Sequence, residues 1–137
     1  MNPWDRYVVP HLVSCACSTK PIMKQRQKVV PQASGRVLEI GCGSGTNFAL
    51  YDGNKVDQLY ALEPSEVMVG KARREAGRLG IGHHIEFLQT GAEAIPLEDD
   101  SVDTVVITFV LCTIPDWEAS LKEVRRVLKP GGRILFS

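Results

Sequence analysis

The sequence predicts an α/β fold in which helices cover both faces of a doubly wound parallel sheet. Three observations carry that expectation. Short runs rich in Val, Ile and Leu recur along the chain, amphipathic helical stretches separate them, and the first run feeds a glycine-rich loop, "VLEIGCGSG", Val37 to Gly45. Strands buried on both faces lose polar–apolar alternation, and "VDTVVITFVL" shows that loss most clearly.

Residues 36 to 41 read as the first strand, and Thr46 to Tyr51 as a short helix after the glycines. "VDQLYALE", Val56 to Glu63, supplies β-branched and aromatic residues for a second strand. Ser65, after Pro64, can cap a helix in which Val67, Met68, Ala72, Ala76 and Leu79 recur at helical spacing, and Gly80 and Gly82 end it. "HIEFLQ" gives a third strand, "VDTVVITFVL" a fourth and "RILFS" a fifth. Between the last two, Trp117, Leu121, Val124 and Leu128 form a helical stripe closed by a "KPGG" turn.

Length and composition set the scale. At 137 residues the chain fits one globular domain, and 44% apolar with 23% charged residues excludes general disorder. Lys+Arg and Asp+Glu balance at 16 each, which argues against a nucleic-acid binder. The balance conceals an asymmetry. Before Val37 the chain carries Arg6, Lys20, Lys24, Arg26, Lys28 and Arg36 against Asp5 alone. Residues 1–34 are therefore read as a helical leader and 35–137 as the core, with Asp5 to Lys28 folding as a lid whose "KPIMKQRQK" presents a basic face.

Cys15, Cys17, Cys42 and Cys112 lack the paired spacing of a metal site, so reduced thiols of a cytoplasmic protein are expected, and no metal. The apolar stretch "YVVPHLVSCAC" is short and broken by Pro10 and His11, so neither a signal peptide nor a transmembrane span is expected. Peripheral membrane contact stays open.

The glycine loop sits where a parallel sheet binds ligands, beyond the carboxyl end of its first strand. Glycines there allow positive φ and close approach of backbone to a nucleotide or nucleoside. A dinucleotide site wants G-x-G-x-x-G, but Thr46 stands at the third glycine position and Gly45 falls one residue early. Glu39 lies just before the loop, where its charge opposes a pyrophosphate and suits a ligand with a cationic end. Glu63, at the end of the second strand, is placed to accept hydrogen bonds from ribose hydroxyls.

These pieces together resemble the class I S-adenosylmethionine-dependent methyltransferases. "VLEIGCGSG" is similar to the family's first motif, "YALEPS" to its second-strand acid, "TGAEAIPLEDDSVDTVVI" to the third-to-fourth strand region, and "LKEVRRVLKPGGRILF" to the last helix and strand. "LVSCACSTKPI" with "FVLCTIP" is most similar to the branch of alkyl-thiol and phosphatidylethanolamine-type methyltransferases. The resemblance implies a Rossmann-like sheet with strand order 3-2-1-4-5, S-adenosyl-L-methionine as cofactor, and a small-molecule or lipid methyl acceptor.

It also implies roles by position. Gly41, Cys42, Gly43 and Gly45 form the loop around the methionine moiety, with Glu39 serving its ammonium directly or through water. Glu63 holds the ribose; Pro64, Ser65 and Met68 flank the adenine; Ala92 and Glu93 meet its edge; Thr108 and Phe109 stand near the reacting methyl. Many relatives carry Asp where this chain has Gly91, and Glu93 is the candidate to replace it. No residue is assigned to catalysis, because the sulfonium is already a good leaving group and alignment alone supplies much of the rate. His11, His83 and His84 therefore receive no role. The family's sheet continues past a fifth strand, so the edge at Ile134 to Phe136 is expected to pair with a second copy, and the 137-residue chain to bind cofactor weakly with little turnover.

Overall fold

The computed structural model describes the backbone of residues 20–108 and 114–137, with side chains from residue 23 onward in those ranges. Helix α1, Lys20–Val29, leads through a 3₁₀ turn at Val30–Gln32 into strand β1, Gly35–Ile40. Strand β2, Val56–Leu62, is followed by helix α2, Glu66–Leu79, and strand β3, Ile85–Leu88. Strand β4, Val102–Ile107, precedes helix α3, Trp117–Val127, and strand β5, Leu128–Phe136.

The strands form one parallel sheet in the order β3-β2-β1-β4-β5. Successive strands run outward from β1 to β3, and the chain then crosses back to lay β4 on the other side of β1. That reversal makes the carboxyl ends of β1 and β4 the topological switch point. Ile40 pairs with Leu62 on one side and Ile107 on the other, so β1, β2 and β4 end level.

Both sheet faces are buried, as the unbroken apolar runs require. Leu38, Ile40, Leu62, Val105 and Ile107 pack with Val124 and Val127 of α3 and with Ala92 and Ile95. On the opposite face Val37, Leu59, Ala61 and Val106 pack with Val30, Phe48, Ala72 and Ala76. Ser65 caps α2 by accepting the Met68 N–H, and Gly80 closes it at φ +72°.

Three local expectations change. Thr46 to Tyr51 does not form an α-helix: turns run through Asn47, and a 3₁₀ helix covers only Phe48–Leu50. Asp52 and Gly53 leave no room for a longer helix before β2 begins at Val56. "KPGG" is not a separate turn but a bulge within β5, where Leu128 pairs with Val102 and the next partner of β4, Thr104, meets Arg133. Gly131 at φ +81° accommodates that bulge. Finally, Trp117 and Leu121 are 53% and 36% exposed, because α3 turns Val124 and Val127 toward the sheet instead.

Candidate functional site

The glycine loop is anchored to the neighbouring strand from its first residue. Gly41 N–H and Cys42 N–H both donate to the Leu62 carbonyl, at 2.8 and 3.1 Å, and Gly45 N–H returns to the Cys42 carbonyl at 3.0 Å. Gly41, Gly43 and Gly45 adopt φ of +66°, +56° and +84°, a region closed to most side chains. The glycines differ in purpose. A Cβ on Gly43 would approach Met68 Cε to 3.4 Å, inside the space between loop and α2, whereas one on Gly45 would collide with the Phe48 ring at 2.7 Å. Gly45 therefore makes room for packing beneath the loop, and Gly43 keeps open the wall facing Met68. Cys42 is 5% exposed, and burial pushes its thiol far above the usual range, so it offers backbone rather than a nucleophile.

Glu63 joins the loop to the second strand. Its Oε1 accepts the Gly43 N–H at 3.2 Å and its Oε2 accepts the Ser65 N–H at 2.9 Å. Desolvation raises its pKa, and these two backbone donors oppose the rise. A carboxylate offers about four lone-pair positions, so two stay open for a diol such as a ribose. Pro64 is exposed, Ser65 half-buried and Met68 6% exposed at the start of α2, a short wall beside Glu63. S-adenosylmethionine would fit this arrangement: the open side of Gly43 leaves room for an amino-acid chain, and Glu63 would accept from the hydroxyls of an unphosphorylated ribose.

Ala92 is buried and Glu93 half-buried in the loop after β3. The Glu93 carboxylate lies where a side chain on Gly91 would start: a Cβ built there collides with Glu93 Oε2. Two residues of α3 hold the following segment. Glu123 Oε1 accepts the Ile95 N–H at 2.9 Å, while Arg126 donates to the Ile95 and Leu97 carbonyls, each at 2.8 Å. Sequence reasoning missed this brace, although the i,i+3 Glu–Arg pair on a helix was its available signal.

A buried polar cluster lies beneath the loop. Glu39, 1% exposed, accepts from Tyr51 Oη at 2.8 Å and from Asn47 Nδ2 at 3.2 Å. Its pKa is raised to about 7, chiefly by burial, with Tyr51, Arg26 and Asn47 pulling it down. Arg26 of α1, also buried, donates to Asn47 Oδ1 at 2.7 Å and to Thr108 Oγ1 at 2.8 Å. Arg26 belongs to the stretch expected to present a basic face, yet it is buried while Lys24 and Lys28 are exposed. Arg26, Asn47 and Tyr51 were not anticipated. Nothing in a linear sequence separates a buried Arg or Asn from a solvated one.

Thr108 thus joins the cluster, while Phe109 lies outside the described residues, as do His11, Cys15, Cys17 and Cys112. His83 and His84 sit before β3, at the other end of the sheet from the loop. A cavity of about 490 Å³ lined by Phe48, Val56, Leu59, Ile81 and Ile85 opens at that far end and does not reach Gly43 or Glu63. Among the described residues no His, Cys, Asp and Glu group could hold a metal, and no helix is long and apolar enough to cross a membrane.

Comparison with known proteins identifies the family and the fold. Residues 38–136 match the methyltransferase domain family. The chain is 37% identical over 108 residues to a demethylmenaquinone methyltransferase of Clavibacter sepedonicus, covering 79% of this chain and 42% of that protein. It is 39% identical over 107 residues to the human thiol S-methyltransferase TMT1B, covering 76% and 43%. A SAM-dependent methyltransferase structure from Thermotoga maritima superimposes with a TM-score of 0.65 at 31% identity, covering 82% of this chain and 49% of that one. The chain spans less than half the length of the two curated relatives. With the motif, the fold and the glycine–acid geometry in agreement, the chain belongs to the class I S-adenosyl-L-methionine-dependent methyltransferases.

Proposed function

We propose that this chain binds S-adenosylmethionine in the crevice between the glycine loop and Glu63 and transfers its methyl group to a small-molecule acceptor. The observation that carries this reading is the Glu63 carboxylate, bonded to the Gly43 N–H and still offering lone pairs to a ribose. Gly41, Cys42 and Gly43 line the methionine moiety; Pro64, Ser65 and Met68 flank the adenine; Ala92 and Glu93 meet its edge. Thr108, directly after β4, stands beside the loop at the switch point. A fitted nucleophile needs only alignment with the methyl and exclusion of water.

The acceptor is a thiol or a quinone of the demethylmenaquinone type, the two acceptor chemistries named for the relatives at 39% and 37% identity. A lipid acceptor, with peripheral membrane contact through the basic N-terminal residues, forms the second arm of the test. Calorimetric titration with S-adenosylmethionine, S-adenosylhomocysteine and NAD checks the cofactor. Labelled methyl transfer to thiols, hydroquinones, amines and phosphatidylethanolamine vesicles checks the acceptor. Cofactor binding without transfer to any of them would identify a binding module; NAD binding in place of S-adenosylhomocysteine would overturn the reading.

A further inference from the structure

Thr108 directly follows β4, and because Ile40 pairs with Ile107 it stands beside Gly41 at the switch point. Its hydroxyl oxygen takes two hydrogen bonds, from Arg26 Nη1 at 2.8 Å and from Asn47 Nδ2 at 3.0 Å. The direction of both is fixed by chemistry. A guanidinium can only donate, so Asn47 turns its Oδ1 to Arg26 at 2.7 Å, and its Nδ2 is left to face Thr108 and Glu39 Oε2. A hydroxyl has two lone pairs and one proton. With both lone pairs filled, Thr108 can meet a further group only as a donor, and among the described residues none accepts that proton.

The cluster is assembled from four separate segments, α1, β1, the loop and the end of β4. Arg26, Glu39, Asn47 and Thr108 are each no more than 5% exposed. Burying a cation and a carboxylate is costly, and apolar side chains of similar size would fill the same space at least as stably. Packing alone does not account for the arrangement. A donor beside Gly41, with the Arg26 cation behind it, suits an anionic group; it cannot serve an ammonium, because it has no lone pair to offer.

We propose that Arg26 and Asn47 are positioning residues that fix Thr108 as a hydrogen-bond donor to the carboxylate of the bound cofactor's amino-acid moiety. This assignment rests on the methyltransferase reading. It makes α1 part of the cofactor site, although α1 lies outside the residues that match the family.

The test compares two ligands by calorimetry on the full chain: S-adenosylhomocysteine, which has the carboxylate, and 5′-methylthioadenosine, which lacks the whole amino-acid moiety. Thr108→Val is expected to weaken S-adenosylhomocysteine about tenfold, the size of one charge-assisted hydrogen bond, and to leave 5′-methylthioadenosine unchanged. Thr108→Ser keeps the hydroxyl and should bind both as the parent does. Arg26→Met should show the same selective loss, and combining it with Thr108→Val should add little, because both act through one donor. Should Arg26→Met fail to fold, the Thr108→Val and Thr108→Ser pair decides alone. Equal weakening of both ligands by Thr108→Val, or undiminished S-adenosylhomocysteine affinity, would overturn the assignment. A parent chain that binds neither ligand would instead overturn the methyltransferase reading itself.

Discussion

Gly43 N–H donates to Glu63 Oε1 at 3.2 Å, tying the loop after β1 to the acid that ends β2. Removing that carboxylate takes away the ribose partner and an anchor of the loop together. Glu63→Ala should weaken S-adenosylhomocysteine binding by about 1–3 kcal/mol. Calorimetry on a variant with a native melting profile provides the check. Unchanged affinity would remove Glu63 from the site.

Gly43→Val should be more damaging than Glu63→Ala. The residue sits at φ +56°, and its Cβ would already stand 3.4 Å from Met68 Cε before the two methyl groups are added. Backbone strain of about 1–3 kcal/mol is then joined by obstruction of the methionine channel. Normal cofactor affinity in this variant would show that the open side of the loop faces something else.

The Glu93 carboxylate occupies the origin of any side chain at position 91, which suggests an exchange experiment. Glu93→Ala should cost about 1 kcal/mol in S-adenosylhomocysteine affinity, the value of one hydrogen bond to the adenine amino group. Gly91→Asp alone should be worse, since two carboxylates would compete for one place. The double variant Gly91→Asp/Glu93→Ala should recover binding. Failure of the double variant to improve on Gly91→Asp would separate Glu93 from adenine recognition.

What the sequence made legible follows from interaction range. The strand runs, the Ser65 cap and the placing of Glu63 depend on local patterns and on one spacing of about 20 residues typical of such sheets, whereas the strand order followed from the family resemblance. Arg26 and Thr108 are 82 positions apart, and their contact exists only because the fold brings α1 close enough for its buried Arg26 to reach the end of β4. Glu39 shows the same limit differently. Its place before the glycines marked it as a ligand group, yet both its oxygens accept from Tyr51 and Asn47. The helix expected at Thr46 to Tyr51 shrank to a 3₁₀ turn because its apolar residues satisfy either conformation at that length.

Glu39 also predicts a pH dependence. Its folded pKa of about 7 lies above the ordinary 4.5, so the folded chain holds this proton more tightly than the unfolded one. Stability from this group is fully present below about pH 4.5 and declines as pH rises, until the carboxyl is ionised above about pH 7. The shift corresponds to about 3 kcal/mol across that window. Glu39→Gln should flatten it: chemical denaturation at pH 5 and pH 8 should show a smaller loss for the variant than for the parent. Equal losses would mean that the carboxyl ionises as freely in the folded chain as in water.

The final prediction concerns β5, the edge strand of the described sheet beyond β4. Ile134 and Phe136, 41% and 68% exposed, pair in register with Val105 and Ile107 and so share the sheet face that α3 covers. Trp117 and Leu121 of α3 are exposed as well. An unpaired edge beside apolar side chains favours pairing with another chain, and we propose a second copy as that partner. Covering Ile134 and Phe136 is worth roughly 1.5–3 kcal/mol per side chain. Light scattering or sedimentation should therefore detect concentration-dependent association of the 137-residue chain. Ile134→Lys should shift it to monomer while S-adenosylhomocysteine affinity persists, because Ile134 pairs with Val105, below the end of β4 and two strands away from β1. A parent chain that stays monomeric at high concentration would remove the second copy as the partner of this edge.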